Sequence, residues 1–315
     1  MEIPLQGFTP KDLDKIKIKN SNGNIIAQVG MMVTLYLENA YEKKCRVAVG
    51  QCIEEYMALV KPHLKRYGSE KLGVRKFRQT PIQTLAKMIE PLDEYNPFEL
   101  IVTGSETDEE SSPYNVETLL GRKRSFKEIG YLSATFPLAF LEEQPSGFFQ
   151  QFVHGWCKRL SPYHGYGGLG LIRSVYTGAA RRAEPLVYPL IRRFPGLEID
   201  MPHFHSLHCV EGVKGINWLT MFSDTFLQKL GGKAVLRAQL DDDFIFYDYP
   251  GGVMIQAGPF PQIGDMEQGN IPKQYQKLYR LVKSVQTDKL KNIVVEVPEG
   301  VNAKEFTKQW LRRFE

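Results

Sequence analysis

Positive charge is missing from one long stretch of this sequence. Between Met88 and Gly121 there is no Lys or Arg, although the whole chain has 40 of them. The same window contains nine of the 36 acidic residues, namely Glu90, Asp93, Glu94, Glu99, Glu106, Asp108, Glu109, Glu110 and Glu117. The net charge of +4 therefore hides a segregation of charge along the chain. Such a window is a candidate contact for a positively charged partner.

Long apolar runs and a signal segment are also absent. No run approaches the roughly 18–20 apolar residues that span a bilayer. The residues from Met1 to Gln6 lack the basic region and apolar stretch of a secretory signal. We therefore expect a cytoplasmic protein without membrane contact. Cysteine is scarce, and the four scattered residues are expected to be free thiols: Cys45, Cys52, Cys157 and Cys209.

Short motifs of known catalytic chemistry are missing too. The sequence has no G-x-S-x-G, H-E-x-x-H, Walker A or C-x-x-C pattern. We therefore assign no catalytic, cofactor-binding or metal-binding residue and expect a protein that is not an enzyme. The run from Asp241 to Asp243 could chelate Mg²⁺, but three consecutive side chains point in different directions. A solvated turn is the better interpretation of this run.

The segment from His203 to Cys209 has the most metal-like composition. On a strand, His203 and His205 would share a face, and His208 could supply a third ligand. A second pair of ligands at a distance, which closed zinc sites require, is not evident. A metal-dependent enzyme of unknown type built around these histidines is therefore an alternative and not the leading hypothesis.

Two further patterns suggest ligands that their context disfavours. Gly165 to Gly170 satisfies G-x-G-x-x-G, but a helix-like segment precedes it and a strand-like segment follows, the reverse of a dinucleotide loop. We interpret the glycines as a tight connection. The segment Lys61 to Arg78 has seven basic residues with Tyr67 and Phe77 among them, so nucleic-acid binding is a second alternative. It contains no recognisable nucleic-acid module.

The order of periodic segments predicts an α+β fold, with mixed sheets flanked by helices. Strands are predicted at Asn24–Leu37 and Phe98–Thr103, and an amphipathic helix at about Tyr41–Arg66. A hairpin is predicted across Pro250-Gly251-Gly252, and a last strand at Ile293–Val297. We expect residues 1–315 to form a single unit, with a division near 142–147 as the alternative. The halves would then be 1–144 and 145–315, and whether they are pseudo-equivalent is left open.

Several motifs in the second half occur in a recognisable order. Trp156 is followed by the glycine run, then by Ile216-Asn217-Trp218-Leu219-Thr220, and then by the segment Gly251 to Asp265. This order resembles the type VI secretion immunity family associated with VRR-Nuc nuclease effectors. The resemblance is clearest from Trp156 to Val282 and extends more weakly over Val29 to Val60. It implies a binding protein that neutralises a nuclease by occluding its active site or DNA groove, without catalysis or cofactor.

The resemblance gives the acidic segments a candidate role. A nuclease must expose a basic surface to hold the phosphate backbone. Exposed carboxylates of an inhibitor would be attracted to that basic surface and would raise the rate of association. The candidate partner-binding residues are therefore Glu106, Asp108, Glu109, Glu110, Asp241, Asp242 and Asp243. The motif residue Trp218 is expected to be buried scaffold, and direct nucleic-acid contact is not expected.

Overall fold

Twelve strands form one sheet in the computed structural model, which describes residues 10–68, 78–79 and 84–315. The strands are β1 (Lys17–Lys19), β2 (Ile25–Glu38), β3 (Arg66–Gly68), β4 (Arg78–Gln79), β5 (Phe98–Thr103), β6 (Asn115–Leu120), β7 (Ile129–Phe136), β8 (His164–Arg173), β9 (Glu198–Ile199), β10 (Leu219–Ser223), β11 (Phe244–Tyr249) and β12 (Gly252–Ala257). Their order across the sheet is β11-β12-β10-β8-β2-β7-β6-β5-β3-β4, with β1 on β2 and β9 on β8.

Helices cover both faces of this sheet. They are α1 (Pro10–Asp14), α2 (Lys43–Val60), α3 (Leu85–Ile89), α4 (Leu138–Glu142), α5 (Phe148–Leu160), α6 (Thr177–Arg182), α7 (Glu184–Arg193), α8 (Pro202–His205), α9 (Asp224–Lys229), α10 (Lys233–Gln239), α11 (Lys273–Val282) and α12 (Ala303–Leu311). Strands and helices are intermixed without regular alternation, so the α+β prediction is confirmed.

The 14-residue strand β2 lies near the middle of the sheet. It pairs antiparallel with β7 on one side and with β8 on the other. All the described strand pairs are antiparallel except β8 with β9. Because β2 and β8 come from opposite sides of residues 142–147, the sheet is continuous across the proposed division. The single-unit organisation stays a prediction, and the pseudo-equivalence of the halves stays open.

The alternation of β2 assigns its side chains to two different layers. On one face of the sheet lies Phe136 of β7. The centroid of its ring is 5.1 Å from that of Tyr56 in α2 and 5.4 Å from that of Phe152 in α5. The opposite face carries Thr34 and Tyr166, which contact the segment that follows β9. The face under α2 and α5 is mostly apolar, whereas the opposite face contains a buried group of charged side chains.

The glycine run corrects one interpretation of the sequence. Gly165 to Gly170 lies inside β8 and is not a tight connection. A Cβ atom on Gly165 would lie 2.6 Å from the carbonyl oxygen of Thr34, and one on Gly168 would lie 2.1 Å from Oδ1 of Asn217. The close approach of β2 at Gly165 and of Asn217 at Gly168 therefore requires glycine at both positions.

Several helix and strand boundaries in the structure differ from the predicted ones, each for a local reason. The helix predicted to Arg66 ends at Val60, because Pro62 lies in a short 3₁₀ turn from Lys61 to His63 and Arg66 begins β3. The predicted strand Ile293–Val297 is not a strand, since the carboxylate of Glu184 accepts hydrogen bonds from two of its backbone amides. The hairpin of β11 and β12 is confirmed.

Candidate functional site

The acidic loop, residues 104–114, connects β5 to β6 and carries four of the candidate carboxylates. Glu106 accepts a hydrogen bond from Lys65 Nζ at 2.5 Å, and Asp108 accepts one from Arg66 Nη1 at 2.8 Å. Glu109 pairs with Arg182. These three carboxylates are about half exposed, so solvent screens each pair and each contributes little to stability. The loop therefore offers negative charge that is partly neutralised by its own neighbours.

The backbone of the acidic loop is tied to the sheet. Ser174 donates its hydroxyl to the carbonyl oxygen of Asp108 at 2.6 Å. Ser111 donates to the carbonyl oxygen of Ile172 at 2.8 Å, and its own carbonyl accepts a hydrogen bond from Gln28 at 2.7 Å. Within the loop, Glu110 accepts from the backbone amide of Glu106. These bonds hold the carboxylates beside the start of β2 and the end of β8.

The second acidic segment, Asp241 to Asp243, is a turn between α10 and β11. Asp241 accepts a hydrogen bond from Lys277 Nζ at 2.6 Å, and this bond lowers the pKa of the Asp241 carboxyl. Asp243 accepts one from Gln274 at 3.1 Å, and Asp242 is exposed. The turn is solvated, as the sequence indicated.

The two acidic segments lie at the same end of the sheet. In an antiparallel sheet the start of one strand lies beside the end of its neighbour. The acidic loop follows the end of β5, and β6 begins at Asn115 opposite Thr135 near the end of β7. The turn precedes β11, whose first residue, Phe244, pairs with Ala257 at the end of β12. The pairings through β7, β2, β8 and β10 connect these ends without reversal.

An apolar groove of about 330 Å³ opens at this end of the sheet, between the two acidic segments. Its walls come from α4, α5, β11 and the segment after β12, and the large apolar side chains among them are Leu138, Leu141, Phe148, Phe149, Ile245 and Phe260. Trp218 and Gln256 form its floor. Ile245 is 46% exposed although it is aliphatic. Sequence reasoning did not find this groove, because its walls are separated by about a hundred residues along the chain.

The floor of the groove is built by the motifs that carry the family resemblance. Trp218 is 3% exposed, and its indole Nε1 donates to the carbonyl oxygen of Gly258 at 2.9 Å. Gln256 donates to the same oxygen at 2.9 Å. Gly258 has a φ of +85°, which glycine adopts without strain. The predicted burial of Trp218 is confirmed, and its role is to fix the turn after β12.

A group of buried charges lies on the opposite face of the sheet. Lys214 Nζ lies 2.7 Å from Glu198 Oε1 and 3.2 Å from Asp200 Oδ1, and it donates to the carbonyl oxygen of Ile199 at 2.6 Å. Asp200 also accepts hydrogen bonds from Thr34 at 2.6 Å and from His205 Nδ1 at 2.7 Å. Each of these side chains has several polar partners, as buried charge requires.

Electrostatics in this group follow from burial and pairing. Burial alone would raise the pKa of Asp200, but the charge of Lys214 and the hydrogen bonds from His205 and Thr34 hold it well below its usual range. Burial, together with Lys214, lowers the pKa of His205 to about 4. The adjoining cavity, of about 60 Å³, is far smaller than the roughly 300 Å³ typical of small-molecule sites. The arrangement is suited to holding the segment after β9 against the sheet.

The histidines of the proposed metal cluster lie on and just after α8, not on a strand. His205 is buried against Asp200, whereas His203 and His208 are partly exposed. In residues 10–68, 78–79 and 84–315, no three His, Cys, Asp or Glu side chains form a group that could hold a metal ion.

The basic segment Lys61 to Arg78 is only partly described, since residues 69–77 lie outside the described ranges. Two of its charges, Lys65 and Arg66, face the acidic loop. Those two cations have intramolecular carboxylate partners, which favours a structural role for this part of the segment.

The fold is similar to that of a solved type VI secretion protein. The solved structure of the Pseudomonas aeruginosa T6SS protein PA0821 superposes with a TM-score of 0.85 at 25% sequence identity. The match covers 95% of this chain and 87% of that one. No curated protein matches the sequence.

The family model described as type VI immunity for VRR-NUC matches residues 48–314, and the chain belongs to this family. An immunity role follows, and membership suggests a protein that is not an enzyme. Among the described helices, none combines the length and apolar character needed to cross a bilayer.

Proposed function

We propose that this protein neutralises a VRR-NUC nuclease effector by binding it and occluding its active site or DNA groove. The observation that supports this is the family match over residues 48–314, which includes all of the sheet except β1 and β2. In this proposal the effector cleaves DNA and is met in the cytoplasm. The chain would act without a cofactor and without touching nucleic acid.

The end of the sheet that carries both acidic segments is the proposed contact surface. Glu106, Asp108, Glu109 and Glu110 would contribute from the acidic loop, and Asp241, Asp242 and Asp243 from the turn. The exposed ion pairs of the loop are weak, so a dense basic surface of a nuclease can compete for the same carboxylates. Rim charges of this kind mainly raise the association rate.

Protection and physical association test the proposal together. Cells that produce the cognate VRR-NUC effector should survive when they also produce this chain, and the tagged chain should retain the effector through size-exclusion chromatography. Cells that die despite abundant folded chain, with no effector retained, would exclude neutralisation by binding.

A further inference from the structure

The apolar groove between the acidic segments has the composition of a site for one large apolar side chain. Its volume of about 330 Å³ is at the lower end of the roughly 300–1,000 Å³ of ligand pockets. Phe149 and Trp218, which form its inner wall and floor, are stacked with ring centroids 6.2 Å apart. Because the floor is fixed by hydrogen bonds to Gly258, the groove is formed before any partner binds. A formed, apolar recess is the usual seat of an interface anchor.

The charge in the lining of the groove is acidic. Glu142 is the one charged side chain among the described residues that line it. Glu143 follows at the end of α4, and Asp243 lies on the other side, where its carbonyl oxygen accepts a hydrogen bond from the amide of Gly258. In the described part of the chain, Glu142, Glu143 and Asp242 have no ion-pair partner, unlike Glu106, Asp108 and Glu109 of the acidic loop. The groove is therefore an apolar recess with one carboxylate, that of Glu142, in its lining and further carboxylates on the segments beside it.

We propose that this groove receives an aromatic or large aliphatic side chain of the nuclease effector, carried on a segment with Lys or Arg beside it. The inference rests on the proposed function and says where the main apolar contact with the effector lies. A nuclease presents Lys and Arg along its DNA surface, which matches the rim in charge. The apolar anchor contributes affinity and the rim contributes orientation and rate.

A second copy of this chain is the competing occupant. Phe126 is 62% exposed on a loop with Arg124 and Lys127, so it has the same apolar and basic character. Docking of Phe126 into the groove of another copy would join two unlike surfaces, and such contacts continue into rings or filaments. A one-to-one complex with an effector needs no such extension, which favours the effector.

Two substitutions at the groove and one matched control test the proposal. Ile245→Lys places a cation on an exposed groove position. Glu142→Lys reverses the lining charge at the last residue of α4, where a cation suits the helix dipole. Leu186→Lys is the control, because Leu186 is 51% exposed on α7 and lies outside the groove. The probe is the purified cognate VRR-NUC nuclease, and thermal unfolding checks that each variant is folded.

The groove proposal predicts that Ile245→Lys raises the dissociation constant at least tenfold. Glu142→Lys should raise it several-fold and reduce its salt dependence, and Leu186→Lys should stay within twofold of the parent. Parental affinity in both groove variants overturns the groove while leaving neutralisation intact. Failure of the parent itself to bind the nuclease overturns the proposed function instead. Oligomers of the chain alone that disappear with both Ile245→Lys and Phe126→Ser would assign the groove to a second copy and overturn the effector as occupant.

Discussion

Trp218 and Gly258 are joined across the sheet by a hydrogen bond of 2.9 Å from the indole nitrogen to the carbonyl oxygen. Trp218 directly precedes β10 and Gly258 directly follows β12, and these two strands are paired neighbours. The ring of the buried Trp218 also stacks against the ring of Phe149 in α5. This contact unites the sheet, the turn and the wall of the groove.

Truncation of that indole should destabilise the fold. Trp218→Ala removes a buried aromatic ring and leaves the carbonyl of Gly258 with one donor fewer, so the free energy of unfolding should fall by about 3–5 kcal/mol. Denaturant unfolding measures the change, and Trp218→Phe should retain more of the stability. Protection should fall with the amount of folded protein. A Trp218→Ala variant of normal stability that no longer binds the effector would instead place this side chain in the interface.

Neutralising the acidic loop should slow association without unfolding the protein. Replacing Glu106, Asp108, Glu109 and Glu110 by Ser removes exposed charges whose pairs are individually weak. Association with the nuclease at low salt should slow, and the rate should lose much of its salt dependence. Stopped-flow measurements at low and high salt give both quantities.

A control variant distinguishes the effect of the loop carboxylates from the effect of the change in net charge. In this control variant, Ser replaces four exposed acidic residues outside the proposed contact surface. They are Glu211, Asp288, Glu299 and Glu305. It should associate at a rate closer to that of the parent. Equal rates and equal salt slopes in the loop variant and the parent would show that the loop carboxylates are merely solvated.

The buried histidines should make the protein sensitive to mild acid. Burial lowers the pKa of His164 to about 4, and burial with Lys214 does the same for His205, whereas the unfolded value is near 6.5. The folded state therefore binds fewer protons than the unfolded state. The stability that the two neutral histidines contribute is fully present above pH 6.5 and is lost as the pH falls towards 4. Each residue should contribute a slope that approaches about 1.4 kcal/mol per pH unit near the middle of that window and is smaller at both ends.

A double variant isolates this effect. His164→Gln with His205→Gln should lower stability at pH 7 yet show a flatter decline between pH 6.5 and 5 than the parent. His154→Gln, a change outside the two buried sites, should keep the parental decline. Thermal unfolding across this pH range checks both, and a parental slope in the double variant would contradict the assignment.

Lys214 should be needed for the stability of the buried group of charges. Lys214→Met leaves Glu198 and Asp200 without their shared cation, and such a change costs about 3–5 kcal/mol. Lys229→Met, at an exposed position on α9, should change stability by less than about 0.5 kcal/mol. Equal unfolding midpoints for the two variants would show that Lys214 is dispensable.

Local periodicity predicted much of the fold because it is encoded by neighbouring residues. The strand at Asn24–Leu37 differs from β2 by one residue at each end, and the hairpin of β11 and β12 follows from its glycine turn. β6 was missed, since its sequence of mixed polar and apolar residues directly follows the acidic loop. Its pairing with β5 and β7 determines its conformation.

The candidate site could be predicted only in part. The acidic loop stands out in the sequence, but its pairing with Lys65, Arg66 and Arg182 depends on chain segments about 40–70 residues away. The apolar groove is invisible to periodicity, because Leu138 and Ile245 meet only in three dimensions. Long-range packing, and not local propensity, creates both features.

Titration of nuclease activity tests neutralisation by binding most directly. A fixed concentration of the purified cognate VRR-NUC nuclease, well above the dissociation constant, is mixed with increasing amounts of this protein, and cleavage of duplex DNA is followed. The account predicts a linear fall to background at a small integer ratio of protein to nuclease, with boiled protein inactive. Full cleavage in the presence of a stoichiometric excess of folded protein would contradict it.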